Sequence, residues 1–259
     1  MRTRLLILVI ITKMICINTT YGQLRGKPVV PPDSIMKNIN NFLQYNSDHL
    51  MFDGDFITYD EHGHNIPKDQ FLKMVATGNY LPLQLYSKYN AWEYQLYKLK
   101  PGVDRDAQIM LKQTGLTYYS IYQIKGKPFP DFHYVDLNGK VYTSANTKGK
   151  IVVLKAWSTS CIPCVAEMPE LNRLVDKYKG RKDIVFVSIA FDSKEKLQKF
   201  TKSTLFKYAI VPVSIRYIQD TLHGTGYPIH WVINKQGIVV SMSYNSGEMI
   251  AALNKEAAK

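Results

Sequence analysis

The stretch Ile151-Val-Val-Leu-Lys-Ala-Trp157-Ser-Thr-Ser-Cys161-Ile-Pro-Cys164 joins an apolar run to a pair of cysteines. The run has the length and composition of a buried strand, and apolar residues from Val165 onward recur at helical spacing. Cys161 is therefore predicted at the start of a helix, where free backbone N–H groups and the helix dipole stabilise a thiolate. Pro163 suits the first helical turn, because no hydrogen bond is lost there.

The cysteine pair favours redox chemistry, because Cys164 lies one turn into the helix and could resolve a mixed disulfide formed by Cys161. Half of a zinc site is an alternative, but His223 and His230 are isolated and no second Cys/His pair has metal-binding spacing. A structural disulfide would close a very small loop and stabilise little. A peroxidatic cysteine is a further alternative, but it requires a proline at the position that Leu154 occupies. We expect no metal and no cofactor besides the redox-active disulfide itself.

The N-terminus indicates export. Arg2 and Arg4 precede the apolar run 5–11, and Lys13 interrupts that run, so residues 1–22 are predicted to be a cleaved signal peptide. A retained membrane anchor is the alternative, although the run is short for a transmembrane helix. Cleavage removes Cys16 and leaves two cysteines, both in the Cys-x-x-Cys motif. The expected location is the periplasm or another extracytoplasmic compartment of a bacterium.

Charge and composition divide the rest of the chain near residues 125–128. Residues 24–124 balance ten basic with ten acidic residues, whereas residues 125–259 carry twenty basic and eleven acidic residues. Gly126 and Pro128 mark this junction, which is typical of a domain boundary. The basic balance most often reflects solubility, and an exported chain is not expected to bind nucleic acid.

Residues 23–124 are predicted to be mostly helical. A first helix is expected to contain Ile35 and Leu43, and a second to begin at Pro67 and end at Gly78. Two more are expected, through the stripe Leu85, Tyr89, Trp92, Leu96 and Leu99, and from Asp104 to Leu111 before Gly115. Residues 52–59 are predicted to be a short strand or an extended loop. In residues 125–259, strands alternate with helices and the region ends in a hairpin and a helix. This pattern predicts an α/β sandwich with a central mixed sheet.

Several motifs of residues 125–259 resemble the extracytoplasmic thioredoxin-like proteins of the TlpA/ResA type. They are residues 126–132, 136–140, 149–150, 156–157, the Cys161–Cys164 motif, and Gly226-Tyr227-Pro228. The resemblance implies a thioredoxin-like fold for this half of the chain. The region before residue 125 is not covered by it.

The resemblance also implies roles for individual residues. Pro228 would follow a cis peptide bond beside the cysteines, with the backbone of Tyr227 presented to an extended substrate; an ordinary strand-initiating proline is the alternative. Glu167 matches a proton-handling carboxylate, and a solvated helix charge is its alternative. Lys155 departs from the buried acid of thioredoxin, and Ser160 replaces a tryptophan found in many relatives.

Together these observations predict an exported thiol:disulfide oxidoreductase. Reduction of protein disulfides is favoured, because Ile162 and Pro163 lack the histidine of strongly oxidising relatives. The expected partners are disulfide-containing exported proteins and a membrane-bound thiol electron donor. The alternative function is a copper or soft-metal chaperone that uses the same cysteines. A second candidate metal cluster, Asp60, Glu61, His62 and His64, lies in a predicted turn, where such residues collect anyway. The oligomeric state is not predicted.

Overall fold

A computed structural model of the chain describes residues 24–52, 55–87 and 91–259. The predicted signal peptide, residues 1–22, lies outside the described residues. Within the described ranges, no helix is both long enough and apolar enough to cross a bilayer.

The region up to residue 124 is a mixed α/β unit and is helical only in part. Its helices are α1 (Pro32–Ile35), α2 (Ile39–His49), α3 (Lys68–Val75) and α4 (Arg105–Ile124). Its strands, β1 (Phe56–Tyr59), β2 (Tyr80–Gln84) and β3 (Trp92–Lys98), form a sheet in the order β1-β3-β2. Strand β3 is parallel to β1 and antiparallel to β2. Helices α2, α3 and α4 cover an apolar core that contains Phe42, Phe71 and Leu111.

The predicted helix through residues 85–99 is wrong, because residues 92–98 form the central strand β3. Trp92 and Leu96 are four residues apart, and that spacing puts two side chains on one face of either a helix or a strand. The alternation of Trp92, Tyr94 and Leu96 with polar or amphipathic residues has the period of a strand. Tyr94 and Leu96 are buried in the core, and the strands on both sides satisfy the backbone of β3.

Helix α4 is longer than predicted, because it continues through Gly115 instead of ending before it. A Cβ atom at Gly115 would lie 2.6 Å from the carbonyl carbon of Val75 and 2.7 Å from the backbone nitrogen of Ala76. The glycine therefore allows the end of α3 to approach the α4 backbone closely. Gly115 is a packing residue and not a helix stop.

The region from residue 125 has the mixed central sheet of a thioredoxin-like fold, as predicted. After the hairpin β4 (His133–Val135) and β5 (Val141–Thr143), the strands are β6 (Ile151–Trp157), β7 (Ile184–Ala190), β8 (Ala209–Pro212), β9 (Ile229–Ile233) and β10 (Val239–Ser243). The sheet order is β10-β9-β6-β7-β8. Strands β6, β7 and β8 are parallel, whereas β9 is antiparallel to both of its neighbours. Strand β6 is buried along its whole length because it is central in the sheet.

Four helices and a single π-helical turn complete this region. They are α5 (Ile162–Ala166), α6 (Met168–Lys177), α7 (Lys194–Thr201), the π-helical turn Tyr217–Thr221, and α8 (Ser246–Ala257). The single helix predicted after Cys161 is thus two consecutive helices that meet at Glu167. This junction directs Glu167 toward the sheet and shapes the site described below.

Candidate active site

Cys161 and Cys164 form a disulfide bond at the start of helix α5. Cys161 is the N-cap residue, and its sulfur accepts a hydrogen bond of 3.3 Å from the backbone N–H of Cys164. Cys164 is completely buried, whereas Cys161 is partly exposed and the intervening Ile162 is 83% exposed. An incoming sulfur therefore has access to Cys161 and not to Cys164.

The loop that leads to Cys161 is held by Asp192, a residue that the sequence analysis missed. Its carboxylate accepts hydrogen bonds from the Thr159 backbone N–H at 2.7 Å and from the Thr159 hydroxyl at 3.1 Å, and it pairs with Lys196 at 2.6 Å. Burial alone would raise the pKa of Asp192, but the contacts with Lys196 and Thr159 lower it overall. Asp192 and Thr159 each lie two residues after the end of a strand, β7 and β6 respectively. Because parallel strands end at the same edge of a sheet, the strand-helix-strand pattern was the sequence signal that could have found this contact.

The Tyr227–Pro228 peptide bond is cis, and Pro228 is buried at the start of strand β9. Tyr227 packs against the apolar cluster that contains Cys164, and Cys161 packs against the same cluster. The ring of Tyr227 also lies 4.9 Å from the ring of Phe191. Tyr227, from a distant part of the chain, and Cys161 therefore pack against the same apolar cluster.

The Glu167 side chain is mostly shielded from solvent and contacts two buried residues of the sheet, so it is not a solvated helix charge. Its side chain is 12% exposed, and its Oε1 atom accepts a hydrogen bond from Lys155 Nζ and lies 3.0 Å from His230 Nε2. Lys155 and His230 face each other across strands β6 and β9, and both are completely buried. Lys155 thus pairs with Glu167 inside the protein instead of extending its ammonium group to solvent.

The electrostatics of this cluster favour an ionised Glu167. Burial alone would raise the pKa of Glu167, but the contacts with His230 and Lys155 outweigh burial and lower it. Burial lowers the pKa of Lys155, and the contact with Glu167 opposes that shift. Burial also lowers the pKa of His230, so the imidazole is neutral at pH 7. The sequence offered a signal for His230, since it is the polar residue in the otherwise apolar strand Ile229–Ile233.

The candidate metal cluster near residue 60 forms an ordinary turn. Asp60 Oδ1 accepts hydrogen bonds of 2.9 Å from the backbone N–H groups of His62 and His64, and Asp60 Oδ2 lies 3.1 Å from His64 Nδ1. In the part of the chain that the structure describes, no group of three or more His, Cys, Asp or Glu side chains is arranged to hold a metal ion.

Comparison with known proteins places the cysteine site in a family. The model of the AhpC/TSA family matches residues 125–242. The thiol-disulfide oxidoreductase ResA of Bacillus thuringiensis subsp. konkukian is 32% identical over 138 residues, which cover 51% of this chain and 80% of ResA. The thioredoxin-like protein YneN of Bacillus subtilis is 28% identical over 140 residues, which cover 51% of this chain and 81% of YneN.

Among solved structures, a thiol-disulfide oxidoreductase from Bacteroides fragilis is 20% identical and aligns with a TM-score of 0.45, over 51% of this chain and 99% of that one. The residues matched by the family model, 125–242, include the Cys161–Cys164 disulfide and the strands β6 to β9 of the mixed sheet. Through its C-terminal half, the chain therefore belongs to the thioredoxin-like thiol-disulfide oxidoreductases of the TlpA/ResA type.

Proposed function

We propose that the chain is an exported thiol:disulfide oxidoreductase that reduces disulfides in other extracytoplasmic proteins. The observation that carries this proposal is the asymmetry of the pair, in which a partly exposed Cys161 at a helix start is bonded to a fully buried Cys164. An exposed sulfur can attack a partner, and a buried sulfur can resolve the product without reacting with other thiols.

The reduced pair acts in two displacement steps. The Cys161 thiolate attacks one sulfur of a partner disulfide, forms a mixed disulfide and releases the first partner sulfur as a thiolate. Cys164 then loses its proton and attacks Cys161, which forms the Cys161–Cys164 disulfide and releases the second partner sulfur. The partner gains two electrons and the cysteine pair loses two. A membrane-bound thiol donor would return the pair to the dithiol.

Tyr227 and Pro228 would form the substrate-binding side of this site. Tyr227 and Cys161 pack against the same apolar cluster, and the backbone of Tyr227 would pair with an extended segment of the partner. Recognition through backbone groups needs few specific side chains on the partner. A range of disulfide-containing proteins would therefore be accepted.

Export and the reducing direction are supported by sequence features. The basic residues Arg2 and Arg4 and the apolar run 5–11 have the pattern of a signal peptide. Strongly oxidising relatives have a histidine between the two cysteines that stabilises the thiolate. Ile162 and Pro163, which occupy these positions here, have no polar side-chain group. The donor and the protein substrates therefore belong outside the cytoplasm.

Insulin reduction by the purified mature chain, in the presence of a thiol donor, tests this function. We expect turnover by the wild type and none by Cys161→Ser, with Cys164→Ser severely impaired.

Equilibration with a glutathione series should give a potential nearer to about −270 mV, as in thioredoxin, than to about −120 mV, as in strong oxidants. A value near the oxidising extreme would contradict the reducing direction. Tight copper binding in calorimetry without insulin turnover would instead support the copper-chaperone alternative.

A further inference from the structure

One side of helix α4 faces the C-terminal half of the chain. Ile124 belongs to the apolar cluster of that half, Ile121 packs against the cluster, and the Ser120 hydroxyl lies 2.9 Å from the Tyr244 hydroxyl. Gln113 lies on the same side of α4, because it precedes Ile124 by eleven residues, or about three helical turns. The contact side of α4 therefore extends from the core of the C-terminal half to Gln113.

The end of this contact side lies against Gly226, the residue directly before Tyr227. A Cβ atom at Gly226 would lie 4.0 Å from Gln113 Nε2 and 3.7 Å from Tyr244 Cε1, which are ordinary contact distances. The Tyr244 hydroxyl also lies 2.8 Å from Thr225 Oγ1 and so holds the segment in place. The side chain of Gln113 is therefore a direct neighbour of the segment that we propose as substrate-binding.

This segment has backbone groups that can bind a partner. Among the described residues, no backbone group forms a hydrogen bond with the backbone of Gly226 or Tyr227, and both residues are partly exposed. Backbone N–H and C=O groups require hydrogen bonds, and an extended peptide supplies them in the manner of an added strand. The segment is therefore suited to an extended polypeptide.

The carboxamide of Gln113 is available to the same peptide. The residue is exposed, and its side chain makes no hydrogen bond within the part of the chain that the structure describes. A carboxamide donates through Nε2 and accepts through Oε1, so it can bind a peptide group at both of its polar atoms. Gln113 can thus continue the row of hydrogen-bonding groups that the backbone of Gly226 and Tyr227 begins.

The segment lies at the edge of the sheet from which the chain continues to Cys161. Ala156, near the end of β6, pairs with Ile229, so the residues before Ile229 leave the sheet beside the end of β6. Residues 158–160 then connect β6 to Cys161. Tyr227 and Cys161 also pack against the same apolar cluster. A peptide bound along the segment therefore lies at the end of the sheet that carries the reactive sulfur.

We propose that helix α4 forms one side of the partner-binding site, and that Gln113 binds the backbone of the partner segment that pairs with Gly226 and Tyr227. This inference rests on the proposed function. The partner it fits is a disulfide-bonded polypeptide with an extended segment beside its cysteine. Small disulfides lack peptide groups that reach α4, so they react without this contact. The N-terminal region, which lies outside the residues 125–242 matched by the family model, thereby favours polypeptide disulfides over small ones.

The reaction of the reduced protein with two different disulfides tests this role. One is a disulfide-linked peptide dimer with several residues on each side of its cysteine, and the other is hydroxyethyl disulfide, which has no peptide group. Samples are quenched with an alkylating agent, and the oxidised fraction is measured by mass spectrometry. Gln113→Met keeps the length of the side chain without its hydrogen-bonding groups. Gln123→Met is the matched control on the same helix, because Gln123 Nε2 donates instead to Asp69 at 3.2 Å.

Gln113→Met should lower the second-order rate constant for the peptide disulfide about 3- to 10-fold, which corresponds to the loss of one or two net hydrogen bonds. Its rate constant for hydroxyethyl disulfide should equal that of the wild type. Gln113→Ala should show the same selective loss, because the carboxamide and not the bulk of the side chain binds the partner. Gln123→Met should change neither rate constant. A structural defect near Cys161 would slow both disulfides, so the difference between them reports on partner binding.

Two results would overturn the inference and leave the proposed function intact. One is reduction of the peptide disulfide by Gln113→Met at the wild-type rate or faster, and the other is an equal loss with both disulfides. If the wild-type protein reacted with neither disulfide, the proposed function itself would fail.

Discussion

The hydroxyl oxygens of Ser120 and Tyr244 lie 2.9 Å apart and join helix α4 to the end of strand β10. The Ser120 hydroxyl also donates to the Thr117 carbonyl at 2.8 Å, so the Tyr244 hydroxyl is the donor to Ser120. Thr225 Oγ1 lies 2.8 Å from the same tyrosine oxygen. Because Thr225 is two residues before Tyr227, the N-terminal region is connected through Tyr244 to the segment that contains Tyr227.

Replacement of Tyr244 by phenylalanine should destabilise this connection. It removes the donor to Ser120, which is 3% exposed, and the acceptor for Thr225. We expect a loss of about 1–2 kcal/mol in the free energy of unfolding, measured by urea denaturation of the oxidised protein. Tyr122→Phe on the half-exposed side of α4 is the control and should change stability by less than about 0.5 kcal/mol. Equal effects of the two substitutions would contradict the bridging role of Tyr244.

Gly115→Ala should destabilise the contact between α3 and α4. The added methyl group would overlap the backbone of Val75 and Ala76, which cannot move as a side chain can. We expect a loss of about 1–3 kcal/mol, although alanine is the better helix former. Gly180→Ala is the matched control, because nothing lies within 4 Å of a Cβ atom at that position. Thermal or urea unfolding measures the stability of each variant. If Gly115→Ala is as stable as the wild type, the backbones of α3 and α4 do not approach each other as closely as described.

The contribution of Asp192 to the free energy of unfolding should decrease at acid pH. Its pKa in the folded protein is lowered, so its contribution is present above the unfolded value of about 3.9 and is lost as the pH falls through the folded value. Asp192→Asn should cost about 1.5–3 kcal/mol at pH 7, because it weakens the charged hydrogen bonds to Thr159. The stability difference between the wild type and the variant should shrink from pH 5 downward.

The measurement is the urea midpoint of the wild type and Asp192→Asn from pH 7 to pH 3. Asp176→Asn is the control, since that carboxylate is 55% exposed and pairs with Lys207 on the surface. Exposed pairs contribute at most about 1 kcal/mol. A difference between wild type and Asp192→Asn that stayed constant across this pH range would show that the carboxylate charge is not what holds Thr159.

The second half of the chain was predictable because its strands and helices differ clearly in hydrophobic period. The run 151–157 is continuously apolar apart from Lys155, and it forms the buried central strand. In the first half, the spacing of Trp92 and Leu96 fits a helix and a strand equally well, and only the alternation through Tyr94 indicates a strand. The pairing of β3 with strands on both sides decided the outcome, and that pairing is a tertiary property.

The sequence located the cysteine motif but not the groups that surround it. Glu167, Lys155 and His230 belong to different elements, and the β6–β9 register places Lys155 opposite His230. Without that register, Lys155 could only be described as a departure from the buried acid of thioredoxin. Asp192 likewise reaches Thr159 because β6 and β7 are parallel and end at the same edge of the sheet.

The role of Cys161 as the attacking thiol is tested most directly by trapping a mixed disulfide on it. Reduced Cys164→Ser is incubated with a disulfide-bonded peptide, and the product is digested and analysed by mass spectrometry. We expect a stable adduct of one peptide thiol on Cys161, and no adduct on the buried Cys164 when Cys161→Ser is treated in the same way. An adduct on Cys164 in Cys161→Ser, or no adduct on Cys161 in Cys164→Ser, would contradict this role.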